Sequence, residues 1–202
     1  AMFVGSTIAI FQVDIKRMLA YSSVAQIGYM IVGVSLVSVL GMTGGLLHLF
    51  NHALMKGVLF LAMGCVFYRI GSVALGDLDG LGRCMPWTMA AFVIGGLSLI
   101  GIPLTAGFIS KLYLILAAWD KDWWWLAGLI VLSSLLAIIY VWRIIEVAYL
   151  RDPPEGVEMK EAPLSLLIPA WVLALANIYF GIDTRVSVGV AETAAKYLLG
   201  AS

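Results

Sequence analysis

The sequence predicts an all-α integral membrane protein, and three observations lead to that fold class. Hydrophobic residues make up 62% of the 202 residues, charged residues make up 12%, and the mean hydropathy is +1.02. A soluble domain is usually a little under half apolar, with about a quarter of its residues charged. The apolar residues also come in runs of about 20, the length that a helix needs to cross a membrane, and no alternating strand pattern interrupts them.

The apolar runs predict five complete transmembrane helices and one partial helix in a single membrane domain, residues 1–202. The first run, Met2–Gln12, is too short for a crossing and indicates the end of a helix. The complete runs are Ala20–Leu40, Gly45–Tyr68, Trp87–Trp119, Trp123–Leu150 and Pro163–Phe180. The tail, Asp183–Ser202, is mildly amphipathic, which predicts a segment that lies at the membrane interface.

Charged loop residues predict how the chain is oriented in the membrane. One set of loops carries seven basic residues: Lys16, Arg17, Arg69, Arg83, Arg143, Arg151 and Lys160. The opposite loops carry three: Lys121, Arg185 and Lys196. By the positive-inside rule the first set is cytoplasmic, so we expect the C-terminus outside the cell. The 12 basic and 12 acidic residues balance and form no basic patch, so we expect lipid but no nucleic acid as a partner.

The fourth run predicts a discontinuous helix. Trp87–Trp119 has 33 residues, more than one straight crossing requires. Gly101, Pro103 and Gly107 fall within seven of them, and these residue types favour an unwound backbone. An ordinary proline kink is the alternative. A break is favoured by Lys111 just beyond it, because interrupted helices survive in membranes only where protein or water satisfies the backbone.

Two lysines fall inside predicted spans. Lys56 lies at the centre of Gly45–Tyr68, roughly 17 Å from either end, and Lys111 lies nearer the end of its helix. A lysine at the bilayer centre costs about 2.5–3.5 kcal/mol even on mild insertion scales. Neither helix supplies a nearby acid, so we expect water, backbone carbonyls or carboxylates elsewhere in an assembly as partners. The alternative is a lysine that is simply tolerated at a protein interface.

Two histidines align with the central lysine. His48, His52 and Lys56 follow i, i+4, i+8 spacing and therefore share one helix face. Histidine exchanges protons near neutral pH, and such chains of ionisable groups are typical of proton relays. The His-x-x-x-His spacing also fits a metal site. It lacks the glutamate of a zinc protease, however, and no third ligand lies nearby, so we predict no metal site.

Polar residues of the second run share a face as well. Ser22, Gln26 and Tyr29 are spaced to line a hydrated region, although helix packing explains small polar residues equally well. No nucleotide-binding, hydrolase or iron–sulfur motif occurs, so we expect no cofactor and no catalytic centre in the chain itself.

Three blocks of sequence resemble the antiporter-like membrane subunits, a family shared by respiratory complex I and Mrp-type cation/proton antiporters. The blocks are DIKRMLAYSSVAQIGYM (Asp14–Met30), HLFNHALMKGVLFLAMG (His48–Gly64) and GIPLTAGFISKLYLI (Gly101–Ile115). They follow the family order and spacing, and the resemblance covers nearly the whole chain. The stretch Glu161–Asp183 looks most similar to the D-type subunit of the Mrp antiporters.

The resemblance implies a position in a larger fold. The family has fourteen helices in inverted repeats, and this chain resembles helices nine to fourteen, with the first one partial. It implies that Lys56 stores and relays a proton, that His48 and His52 link it laterally, and that Lys111 is the terminal exchange site. The first repeat of the family, with its own glutamate–lysine pair, has no counterpart here.

We therefore expect a proton-translocating subunit of a multisubunit Na⁺/proton antiporter in the inner (plasma) membrane, with other membrane subunits as partners. The first alternative is a membrane subunit of NADH-quinone oxidoreductase, which would make the chain part of an enzyme complex. The second alternative is a non-conducting structural subunit, in which the lysines bind only water or lipid.

Overall fold

The computed structural model describes residues 1–153 and 160–201, and the described chain is built from helices. Ser202, the last residue of the predicted tail, lies outside the described residues. The helices are α1 (Met2–Ile10), α2 (Ile15–Ser35), α3 (Val39–Ile70), α4 (Leu81–Cys84), α5 (Pro86–Ile100), α6 (Ala106–Asp120), α7 (Trp124–Leu150), α8 (Leu164–Ile182) and α9 (Arg185–Leu199). A short 3-10 turn, Leu75–Leu78, precedes α4. The predicted all-α class is confirmed.

Among the described residues, four helices are long and apolar enough to cross a membrane: α2, α3, α7 and α8. The remaining complete span that the sequence predicts, Trp87–Trp119, is divided into α5 and α6, each of 15 residues. Each half is about 22 Å long at the α-helical rise, shorter than the hydrocarbon core. The discontinuous helix expected from Gly101, Pro103 and Gly107 is therefore present, and the ordinary proline kink is not.

Two helices begin earlier than their apolar runs do, because polar residues cap them. The helix predicted from Ala20 begins at Ile15, where the Asp14 side chain accepts a hydrogen bond from the Arg17 amide at 2.9 Å. The helix predicted from Gly45 begins at Val39, capped by Ser38. A capping side chain satisfies an amide that has no partner within its own helix.

The long helix α3 is the centre of the molecule. It packs against α2, α5, α6, α8 and α9. The largest buried cluster includes Met55, Leu59 and Met63 of α3, together with Phe92 of α5 and Tyr140 of α7. Four polar residues of α3 are consequently buried among other helices: Thr43, His48, Asn51 and Lys56.

The predicted interfacial tail forms α9, which packs along α3. Ala191 and Ala195 are buried on one face, whereas Val190 and Tyr197 on the other face are exposed. Asp183 and Arg185 form an ion pair of 2.8 Å at the start of α9. The Arg185 guanidinium donates to the Asp183 carboxylate and lowers its pKa to about 2.

Basic residues predicted to be cytoplasmic lie at one end of the bundle. Arg83 pairs with Asp152 at 2.8 Å, and Arg151 pairs with Asp79 at 3.3 Å. The Arg143 guanidinium donates to the carbonyl of Ile10 instead. These contacts tie the loops of that end together, and which side of the membrane it faces stays a prediction.

Candidate functional site

The break between α5 and α6 is set by two glycines. Gly101 ends α5 in the left-handed conformation, with φ of 91°, which glycine adopts without steric cost. Pro103 lies exposed in the 101–105 connection. Gly107 crosses the end of α5 so closely that an added Cβ would lie 1.9 Å from the Ser98 carbonyl oxygen. The two half-helices therefore meet without room for any other residue at position 107.

Lys111 lies across this break with its ammonium against the end of α5. Its side chain is only 4% exposed, and Nζ donates to the carbonyls of Leu99 and Ile100 at 2.9 Å each. The last carbonyls of a helix have no partner within the helix and carry the negative end of its dipole. Backbone carbonyls, one of the expected kinds of partner, thus hold this lysine.

Lys56 is held in a similar way by α2. It is 6% exposed, and Nζ donates to the Leu19 carbonyl at 2.8 Å and to the Ser22 hydroxyl. Ser22 in turn donates to the Leu19 carbonyl at 2.9 Å. The four ion pairs in the described part of the chain lie in loops, on α4 or on α9, and they involve neither buried lysine. Both lysines are therefore solvated by dipoles, and neither forms an ion pair with a carboxylate of the described residues.

His48 is fully buried between α2 and α6 with both ring nitrogens engaged. Nε2 is 2.9 Å from Oε1 of Gln26, and Nδ1 is 2.8 Å from Oγ of Ser110. With Gln26 in this orientation, Nε2–H donates to the amide oxygen and Nδ1 accepts from the serine hydroxyl. Both nitrogens of His48 are therefore occupied by hydrogen bonds to side chains. The ring bridges two helices through these two hydrogen bonds.

His52 is half-buried between the other two members of the predicted face. Its Nε2 has no hydrogen-bond partner among the described residues. No direct hydrogen bond joins these three described side chains to one another. Proton transfer along this face therefore needs bridging groups.

Tyr29 brings α2, α3, α6 and α7 together. Its ring centroid is 5.3 Å from that of His48, and the Lys111 ammonium lies 5.0 Å above the tyrosine ring. A cation over an aromatic face is attracted by the ring quadrupole. The phenol oxygen lies 3.3 Å from Oγ of Ser134 on α7. Ser22, Gln26 and Tyr29 thus all touch or face a predicted relay residue.

Two residues of the site were missed at the sequence level. Ser110 bonds His48, and Asn51 donates through Nδ2 to the Ala106 carbonyl at 2.5 Å, at the start of α6. Asn51 stands one turn after His48, so helical spacing could have identified it. Ser110 is the neighbour of Lys111 in the sequence and points to a different side of the helix, so spacing gave no signal for it.

A cavity of about 240 Å³ adjoins Lys111 between the helix break, α6 and α7. Its wall includes Gly101, Phe108, Ser134 and Leu135 besides the lysine. Several of its apolar lining residues are exposed on the outer surface of the bundle. Lys111 therefore lies beside a cavity whose wall reaches the outer surface of the bundle.

Comparisons with known proteins agree on one family. Residues 1–137 match the family described as NADH:quinone oxidoreductase/Mrp antiporter, TM. The NADH-quinone oxidoreductase subunit N of Desulforudis audaxviator is 42% identical over 191 residues, which cover 88% of this chain and 38% of that protein.

Solved structures of larger assemblies contain the same fold. A chain of the Mrp complex from Dietzia sp. DQ12-45-1b superposes with a TM-score of 0.91 at 28% identity, covering 98% of this chain and 45% of that one. A chain of respiratory complex I from Thermus thermophilus superposes with a TM-score of 0.79 at 26% identity, covering 96% and 42%. The chain thus spans less than half the length of these relatives.

The family match covers more than half of the chain, the helices are long and apolar enough to cross a membrane, and the resemblance inferred from the three sequence blocks is confirmed. This chain is a multi-pass membrane protein that belongs to the NADH:quinone oxidoreductase/Mrp antiporter transmembrane family.

Proposed function

We propose that this chain translocates protons across the membrane as part of a complex I-type NADH-quinone oxidoreductase. The observation that carries the proposal is the pair of buried lysines, Lys56 and Lys111, each held by carbonyl dipoles in a helix bundle, with His48 and His52 on the helix that carries Lys56. A buried charge of this kind is costly and therefore indicates function in a membrane protein. The relative named subunit N of that enzyme supports the choice of complex.

The proposed path runs from Lys56 through His52 and His48 to Lys111. His48 can take a proton on one ring nitrogen and release one from the other, because each nitrogen already has a hydrogen-bond partner. Ser110 passes the proton on towards the neighbouring Lys111. Water bridges the gaps between side chains, as it does in other buried polar sites.

The helix break gives Lys111 its proposed role as the terminal exchange group. The carbonyls of Leu99 and Ile100 stabilise the ammonium form, and the adjoining cavity gives it access to the surface of the bundle. When Lys111 releases its proton, the neutral amine that is left can bind the next proton from the relay. Lys56, which has no such cavity beside it among those described, serves as the internal store.

We assign the chain to helices nine to fourteen of the fourteen-helix family fold, in the inner membrane with the C-terminus outside. Other membrane subunits of the assembly are the proposed partners. Sequence motifs alone favour the D-type subunit of the Mrp antiporters, with complex I as the alternative, and the relative of 42% identity now favours that alternative. The Mrp antiporter remains a second candidate because its solved complex superposes most of this chain with a TM-score of 0.91.

The test replaces Lys56 in the assembled complex. In proteoliposomes, Lys56→Ala should abolish proton uptake driven by substrate, while Lys16→Ala should leave it unchanged, because Lys16 is exposed at the start of α2. Unchanged proton uptake in Lys56→Ala would instead support the non-conducting structural alternative. Co-purification separates the two transporter assignments. Flavin and iron–sulfur subunits would support the complex I-type enzyme, and small antiporter subunits would support the Mrp antiporter.

A further inference from the structure

Leu104, in the connection between α5 and α6, has a backbone conformation that leucine rarely adopts. Its φ is 71°, in the left-handed region, where the Cβ of a residue other than glycine is crowded by the backbone. Its side chain is 68% exposed, so burial of the side chain does not offset this strain. Strained residues persist only where the surrounding structure holds them, and they cluster at functional sites. The contacts that hold Leu104 therefore indicate what positions the helix break.

Gly181, the residue before the last one of α8, packs directly against this strained segment. Gly181 is buried, and a Cβ added to it would lie 2.5 Å from the Leu104 carbonyl oxygen and 2.4 Å from the carbonyl carbon of Thr105. Carbon–oxygen contacts are normally no closer than about 3.3 Å, so alanine at position 181 would force α8 and the segment apart by about 0.8 Å. Glycine is less favourable than alanine in a helix, and this close approach explains its presence in α8.

Thr105 connects the contact with Gly181 to the end of α5. Its backbone amide donates to the Ile102 carbonyl at 3.2 Å, and its hydroxyl donates to the same oxygen at 2.7 Å. The Ile102 amide in turn donates to the Leu97 carbonyl at 3.1 Å, in the last turn of α5. A displacement of Thr105 is therefore transmitted through hydrogen bonds to the last turn of α5.

That last turn of α5 holds Lys111. Two of its carbonyls accept the hydrogen bonds of the Lys111 ammonium, so the position of the turn decides whether both bonds can form. On the α6 side of the break, Asn51 of α3 donates to the Ala106 carbonyl at 2.5 Å and so fixes the first residue of α6. Gly181 makes its contact at the two residues before Ala106. The break is thus held from α8 as well as from α3.

We propose that Gly181 is a positioning residue for Lys111. Because Gly181 has no side chain, α8 can hold the strained backbone of Leu104 and Thr105 at close range, and this segment fixes the end of α5 against the ammonium. The effect of Gly181 on proton exchange rests on the proposed function. Its effect on the position of the ammonium does not, and the two can be measured separately.

The experiment introduces Gly181→Ala into the assembled complex and has two readouts. One is proton uptake in proteoliposomes, normalised to the amount of complex, and the other is the position of Lys111 in a cryo-EM structure of the variant. The matched control is Gly189→Ala on α9, where an added Cβ meets nothing within 4 Å. We expect Gly181→Ala to lower uptake by about tenfold, because Lys111 loses a charged hydrogen bond, and the control to conduct normally. In the variant structure, Nζ of Lys111 should lie beyond about 3.5 Å from at least one of its two carbonyls.

A second substitution, Leu104→Gly in the Gly181→Ala background, separates positioning from general packing. Glycine adopts left-handed and neighbouring conformations freely, so the carbonyl at position 104 can turn away from the new methyl group. Thr105 can then keep its hydrogen bonds to Ile102. The double variant should therefore take up protons at least about three times as fast as Gly181→Ala alone, a non-additive result that shows the two positions to be coupled.

Two outcomes overturn the positioning role. One is a Gly181→Ala complex that conducts like the control and keeps both hydrogen bonds of Lys111. The other is a loss of uptake that Leu104→Gly does not relieve, which shows that Gly181 acts through other contacts of α8. If Gly181→Ala does not assemble, Thr105→Val replaces it, because valine keeps the shape and removes the hydroxyl bond to Ile102, and it must also lower uptake. Full uptake in Lys111→Ala refutes the proposed function instead, and the cryo-EM readout still decides the role of Gly181.

Discussion

Replacing Gly107 by alanine tests whether the crossing of α5 and α6 positions Lys111. The new Cβ would lie 1.9 Å from the Ser98 carbonyl oxygen, whereas carbon–oxygen contacts are normally no closer than about 3.3 Å. The half-helices must therefore separate by about 1.4 Å. The two hydrogen bonds of Lys111, now 2.9 Å each, then exceed hydrogen-bonding distance. Each bond to a charged donor contributes about 1.5–3 kcal/mol.

The assay compares proton uptake and thermal stability of the assembled complex. The matched control is Gly128→Ala on α7, where an added Cβ meets nothing within 4 Å. We expect Gly107→Ala to lower the proton flux by about tenfold or more, which a loss of about 1.4 kcal/mol already produces. The control should conduct normally. If both variants assemble and conduct alike, the crossing does not position Lys111, and the reasoning from the close contact is wrong.

Three further predictions concern residues around the site. Ser110→Ala should lower both flux and melting temperature, because a buried nitrogen of His48 loses its partner at a cost of about 1–3 kcal/mol; equal stability would contradict this. The Glu161 carboxylate accepts hydrogen bonds at the start of α5 and caps that helix. Glu161→Ala should therefore destabilise the complex by about 1 kcal/mol. No change in thermal unfolding would refute the cap. Asp183, with its pKa lowered to about 2 beside Arg185, should stay ionised at about pH 3. Its ion pair then persists from neutral pH down to about 2, as carboxylate NMR titration can check, and a midpoint near 4 would contradict it.

Much of the site was predictable because charge in an apolar run is conspicuous. Lys56 and Lys111 stood out since little else in their helices is charged, and helical spacing then grouped His48 and His52 with Lys56. The break in the fourth run followed from Gly101, Pro103 and Gly107, whose backbone preferences are local. Local chemistry of this kind is visible without any tertiary structure.

The remainder depended on how helices pack. Ser110 resembles an ordinary residue of an apolar helix until α6 is placed against α3. The partners of the lysines were equally hidden, because the Leu19, Leu99 and Ile100 carbonyls are backbone groups that every residue possesses. Helix boundaries were less accurate than helix number, since caps such as Asp14 lie outside the apolar runs.

Proton translocation through the two buried lysines is tested most directly in the assembled complex that carries Lys56→Ala and Lys111→Ala together. The measurement is the number of protons moved per substrate turnover. We predict that this number falls by the number of protons that this chain translocates per turnover, while Lys16→Ala leaves it unchanged. A double variant that assembles normally and translocates the same number of protons as the unmodified complex would contradict a proton path through this chain.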